Sequence, residues 1–124
     1  MRRTFITPKP LEWIGSSKKD LKALPDDVVD VFGYALHLAQ AGGRHNQAKP
    51  FQVFGSASVL EVVEDYQSNT YRAVYTVRFG QRVYVLHVFQ KKSSSGLGVA
   101  MPELDLIRTR LQTAAARAKE LENE

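Results

Sequence analysis

Between residues 71 and 92, side chains that bind phosphate or move protons recur at alternate positions. Arg72 and Arg78 lie on one β-rich run. His87, Phe89 and Lys91 lie on the next, and Lys92 follows. Gly80-Gln81 between the runs is a Gly-X pair of the kind that closes a two-residue hairpin. That turn pairs Arg78 with Val83, Thr76 with Val85, Val74 with His87 and Arg72 with Phe89. Strand alternation then gathers Arg72, Thr76, Arg78, His87, Phe89 and Lys91 on one face, with Val74, Val83 and Val85 between them. Such a face can hold RNA: the cations attract phosphate, Phe89 stacks on a base, and His87 titrates near neutrality. The plainer alternative is a solvent face whose arginines reach Glu61 or Glu64, a common arrangement in antiparallel sheets. The opposite face carries Tyr71, Ala73, Tyr75, Val77 and Phe79 against Tyr84, Leu86 and Val88. It is almost wholly apolar and is the expected surface for helices to cover.

The elements that hold this hairpin follow from local signals. Before residue 16, Phe5, Ile6, Leu11, Trp13 and Ile14 supply a short strand and a hydrophobic anchor. Ser17-Lys18-Lys19-Asp20 has capping-box spacing, with Asp in place of Glu, and opens a helix that stops before Pro25. Pro25 starts a second helix, with Asp26 and Asp27 at its positive end. Val28, Val31, Phe32, Ala35, Leu36 and Ala39 recur there at helical spacing, and Gly42-Gly43 ends it. The two helices are expected to run antiparallel. Residues 43–57 read as a loop with a short strand near Phe51 and Phe54. Residues 59–66, 71–79 and 82–91 read as three consecutive antiparallel strands. After a run of small residues, Pro102 begins a last helix with a stripe of Leu104, Ile107, Leu111, Ala114, Ala118 and Leu121. The expectation is one α+β domain over residues 1–124. Two N-terminal helices pack on a small antiparallel sheet, a three-stranded meander plus an N-terminal strand, and a C-terminal helix closes the chain.

Composition narrows the chemistry. The chain has 124 residues and a formal net charge of +4, with a pI near 9.5. The basic surplus falls before residue 93 and favours polyanionic partners. It has no cysteine, which excludes disulfides, thiolate metal sites and a cysteine nucleophile. No carboxylate-rich metal cluster is visible. No apolar run approaches a membrane span, and the basic N-terminus lacks the apolar middle of a signal peptide. A soluble, cytoplasmic protein is expected.

Three segments in this order carry a resemblance: LEWIGSSKKDLKALPDDVVDVFGYALHLAQAG, then AKPFQVFG, then VLEVVEDYQSNTYRAVYTVRFGQRVYVLHVFQKKS. Over about residues 11–110 the chain resembles the phage-related HigB-like branch of the RelE/ParE toxin superfamily. YRAVYTVRF, YVLHVFQKKS and the helix begun at Pro102 are the most specific pieces. The resemblance implies a compact microbial RNase (RelE-like) fold and a toxin of a type II toxin–antitoxin system. It implies ribosome-dependent mRNA cleavage without metal or cofactor. Its partners would be the ribosome, mRNA and a cognate helix-turn-helix antitoxin, with a toxin–antitoxin heterotetramer as one expected assembly and no membrane.

Residue by residue, Arg72 matches the arginine of the family's YR motif, near the scissile phosphate. Lys91 and Lys92 match the basic positions that end the last strand. His87 is common in this branch without being a general catalytic position. Gln52 stands where relatives often carry lysine, and the family's C-terminal tyrosine or acidic acid/base residue has no match. The role then shifts to Lys49, His45 or His87. The resulting assignment gives Arg72 the phosphorane, Lys91 and Lys92 the RNA backbone, and His87 the proton transfer. For His87 the structural alternative is a half-buried sheet histidine facing the last helix. Lys49, Arg78 and Phe89, with Lys18, Lys19 and Lys22 on the first helix, complete the expected RNA-binding set. Two competing functions stay open: a ParE-like DNA gyrase inhibitor, which needs no nuclease residues, and an inactive antitoxin-binding relative. His37 and Trp13 read as structural, and Arg44 and His45 as loop residues.

Overall fold

A computed structural model describes residues 8–51, 54, 58–91 and 99–122. In chain order the elements are β1 (Leu11–Trp13), α1 (Ser17–Lys22), α2 (Asp26–Gln40), β2 (Ala48–Pro50), β3 (Val59–Tyr66), β4 (Asn69–Thr76), β5 (Val83–Lys91) and α3 (Met101–Glu122). The expected meander β3-β4-β5 is present at the centre of a five-stranded sheet of order β1-β5-β4-β3-β2. The sheet is mixed: β1 runs parallel to β5, with Leu11 opposite Val83, and the other pairs are antiparallel. The short strand expected near Phe51 lies just earlier, at Ala48–Pro50. Residues 52 and 53 in that region fall outside the described residues, as do Phe5, Ile6 and Lys92.

Local chemistry explains most boundaries. Gly42 (φ +86°) ends α2, with Gly43 N–H donating to Leu38 O (2.8 Å) and Gly42 N–H to Ala39 O (3.0 Å). This is a Schellman closure. The β3–β4 turn has two residues, Gln67 and Ser68, both at positive φ as a type I′ hairpin requires. The capping box is displaced. Ser16 precedes the helix and its hydroxyl donates to Asp20 Oδ2 (2.7 Å), while the buried Ser17 hydroxyl donates to Val85 O (3.2 Å).

The β4–β5 hairpin departs from the two-residue turn in a way that matters. β4 stops at Thr76, whose hydroxyl donates to Ser58 O (2.9 Å) and accepts from Arg78 N–H (3.1 Å). β5 starts only at Val83. Further along, the register shifts between Val74 and Tyr75: Tyr75 faces Val85, but Val74 faces His87. Leu86 is the extra residue of a bulge. The expected pairs Val74–His87 and Arg72–Phe89 hold, but Thr76 faces Tyr84 instead of Val85. A one-residue slip exchanges faces. Val83 and Val85 therefore join the core under α2, while Tyr84 and Leu86 join the core under α3.

Both faces are covered. On one, Val28, Phe32, Ala35 and Leu36 of α2 pack with Tyr71, Ala73, Tyr75 and Val88. On the other, Ile107, Ala114 and Ala118 of α3 pack with Val74, Tyr84, Leu86 and Phe89. The mixed face expected to be open is thus partly roofed by α3.

Candidate functional site

The register sets the site. Lys49 of β2 is opposite Glu61 of β3, Glu61 opposite Val74 of β4, and Val74 opposite His87 of β5. The next row is Val63, Arg72 and Phe89, and the next is Asp65, Thr70 and Lys91. Arg72 is thus diagonal to both Glu61 and His87.

Arg72 Nη1 donates to Glu61 Oε2 at 2.5 Å, and Lys49 Nζ lies 3.9 Å from Glu61 Oε1. The side chains of Arg72 and Glu61 are 11% and 8% exposed, against 63% for Lys49. Among the described residues, Arg72 Nε is buried without a hydrogen-bond partner. The cluster therefore has an open cation, an enclosed cation and one carboxylate between them. Arg72 and Glu61 support each other at low solvent exposure; removing one strands the other's charge.

His87 occupies a different environment. It is buried, stacks on Phe89 (centroids 4.6 Å apart, planes 17°), and its Nε2 meets Glu103 Oε2. Arg110 Nη1 lies 3.4 Å from Nδ1 and donates to Leu86 O at 3.0 Å. Since guanidinium only donates, Nδ1 accepts and Nε2 carries the proton toward Glu103. Burial pulls the imidazole pKa below its usual 6.5; Glu103 opposes this and Arg110 adds to it. His87 is thus a buried sheet histidine facing the last helix, the setting of the structural alternative. Arg110 Nη2 also donates to Ser16 Oγ (3.0 Å), so one guanidinium joins α3, β5 and the start of α1. Gly15 (φ +57°) makes room for it: a Cβ there would meet the guanidinium at 2.9 Å.

The other expected residues are dispersed. Phe89 is buried beneath α3 against His87. Lys91 is half-buried at the end of β5. Arg78 is exposed, with Nε donating to Ser58 Oγ (3.2 Å). Lys18, Lys19 and Lys22 are exposed on α1, whose Leu21 packs into the α2-side core, so they belong to another surface. His45 is buried against the Tyr34 ring and its Nδ1 accepts from Gln47 N–H (3.0 Å). Trp13 packs against the α2-side core, as an anchor would.

Glu103 and Arg110 were not among the residues expected at the site, and Glu61 was expected only as an ion-pair partner. A signal existed for the first two. They are seven residues apart on one helix, two turns, and so share a side. Among the described residues no group of three or more His, Asp or Glu is placed to hold a metal ion, and no helix is long and apolar enough to cross a membrane.

The model of the family described as phage derived protein Gp49-like (DUF891) matches residues 19–112. That family is toxin-like, of the RelE kind, and is associated with endoribonuclease activity. Comparisons with curated proteins and with solved structures gave no match.

Proposed function

We propose that this chain, which belongs to the phage-derived Gp49-like family, is the toxin of a type II toxin–antitoxin pair and cleaves mRNA on the ribosome. Within the wider superfamily we place it in the HigB-like branch, acting in the cytoplasm and held in check by a helix-turn-helix antitoxin encoded beside it. The observation that carries the nuclease reading is the convergence of Lys49 and Arg72 on one oxyanion position of the sheet face. Two cations that already share a carboxylate are disposed to share a phosphate. Charge developing on a phosphorane is stabilised most by cations fixed in advance. Arg72 is fixed by burial, and Lys49 is open to incoming RNA. Lys91 extends the basic line at the end of β5, and Lys92 follows it in sequence. His87 fastens α3 to the sheet in this reading, through Glu103 and Arg110.

Induced expression with and without the neighbouring gene tests it, with mRNA ends mapped by primer extension. The expected result is growth arrest with new, translation-dependent mRNA ends, relieved by the neighbour and weakened by Lys49→Ala. Arrest with intact mRNA would move the target to gyrase or elsewhere. Soluble, folded protein without arrest would leave an inactive antitoxin-binding relative.

A further inference from the structure

A phosphate seat made of Lys49 and Arg72 is weakened by a fixed negative charge within it, yet Glu61 sits there, 6% exposed. Its two oxygens are used unequally. Oε2 is held by Arg72 at 2.5 Å. Oε1 lies 3.9 Å from the Lys49 ammonium, too long for a hydrogen bond. One oxygen thus orients the group, and the other keeps its lone pairs on the side of the exposed lysine. The second observation is the orphan donor. Arg72 is 9% exposed, and among the described residues its Nε–H has no partner. A buried guanidinium N–H without an acceptor is costly and calls for an explanation. It is enclosed, so it acts as fixed positive charge beside Glu61 rather than as a contact for incoming RNA.

Resting on the nuclease reading above, we propose that Glu61 is the general base of the cleavage: its Oε1 takes the 2′-hydroxyl proton while Lys49 Nζ receives the scissile phosphate and the enclosed Arg72 supplies fixed positive charge beside it. The 2′-oxygen attacks phosphorus and the bond to the 5′-oxygen breaks. The 5′-oxygen leaves as a hydroxyl with a proton from water, and Glu61 returns its proton to water. The products are a 2′,3′-cyclic phosphate and a 5′-hydroxyl, with no oxidant or co-reactant. The groups that face Glu61 are Lys49 from β2 and Arg72 from β4. His87 of β5 lies beyond Val74, and Glu103 of α3 lies on its far side.

The test is single-turnover cleavage of a defined mRNA in purified ribosome complexes across a pH series. Wild type should lose rate as pH falls, along a single acid limb. Glu61→Gln should slow cleavage about 10²- to 10⁴-fold, the span of a lost general base, and abolish that limb. It should bind the same mRNA with a 2′-deoxy residue at the cleavage point as tightly as wild type or more so. A Glu61→Gln protein that cleaves within a few-fold of wild type and keeps the limb would overturn the proposal. So would weaker binding of the deoxy mRNA with the limb intact, which would make Glu61 a positioning residue. If Glu61→Gln does not fold, the wild-type profile decides: a flat profile overturns the proposal. No cleavage by wild type would remove the nuclease reading itself, and this proposal with it.

Discussion

Replacing Gly15 by alanine should destabilise the fold through two separable effects. Gly15 has φ +57°, where an L-residue with a Cβ pays about 1 kcal/mol. The new Cβ would also stand 2.9 Å from Cζ, Nε and Nη2 of Arg110. The guanidinium is the far end of a flexible side chain and swings away. It then surrenders its bonds to Leu86 O (3.0 Å) and Ser16 Oγ (3.0 Å), and its contact with His87 Nδ1 (3.4 Å). Bonds from a charged donor contribute about 1.5–3 kcal/mol each when enclosed, and less at this half-buried position. The expected cost of Gly15→Ala is therefore about 3 kcal/mol by urea unfolding. In an Arg110→Ala background only the backbone term of about 1 kcal/mol should remain. The cycle of four proteins should thus show a coupling of about 2 kcal/mol. Equal costs in both backgrounds would refute the claim that Gly15 exists to admit Arg110.

Arg72→Ala should cost about 3–5 kcal/mol, because it leaves Glu61 charged and enclosed. Lys49→Ala should change stability by under about 1 kcal/mol, since that partner is mostly exposed; urea midpoints of the two variants compare them directly. His87 should make stability fall at acid pH. Its folded pKa lies below the unfolded 6.5, so the unfolded chain binds the proton first, and stability is lost as pH drops below 6.5 toward the folded value. The decline should vanish from the pH dependence of the urea midpoint in His87→Gln.

Much of the frame was legible in the residues. Pro25, Gly42-Gly43 and Pro102 punctuate α2 and α3 where the structure does, because proline and glycine act through their own backbone geometry. The pairs Val74–His87 and Arg72–Phe89 were legible too, so the site row was found. The near half of β5 was not. Period-two alternation assigns faces only while every residue is paired, and the Leu86 bulge breaks that condition without a sequence mark. The stripe on α3 announced a buried helix but not which sheet face it covers, so the last helix over His87 stood only as an alternative and the roof over Phe89 was not assigned from the pattern. Glu61 was read as one of two carboxylates within an arginine's reach. Its place between two cations depends on β2, a three-residue strand too short to leave a pattern.

The parallel edge strand has a consequence for the order in which the chain assembles. The meander closes through two local hairpins, but Leu11 must wait for Val83, its partner on the last strand of the meander. β1 leaves the ribosome first and docks among the last, against the entropy of closing the longest loop in the sheet. Until then its backbone is an unclaimed edge, open to pairing with another chain. Pro8 and Pro10 stand just before it, each without an N–H to donate, and they limit how far a wrong partner can zip along the segment. Pro10 still offers its carbonyl, and in the finished sheet it accepts from Val83 N–H at 3.0 Å. The approach to β1 is thus poor at pairing with strangers while retaining the acceptor that its own late partner uses.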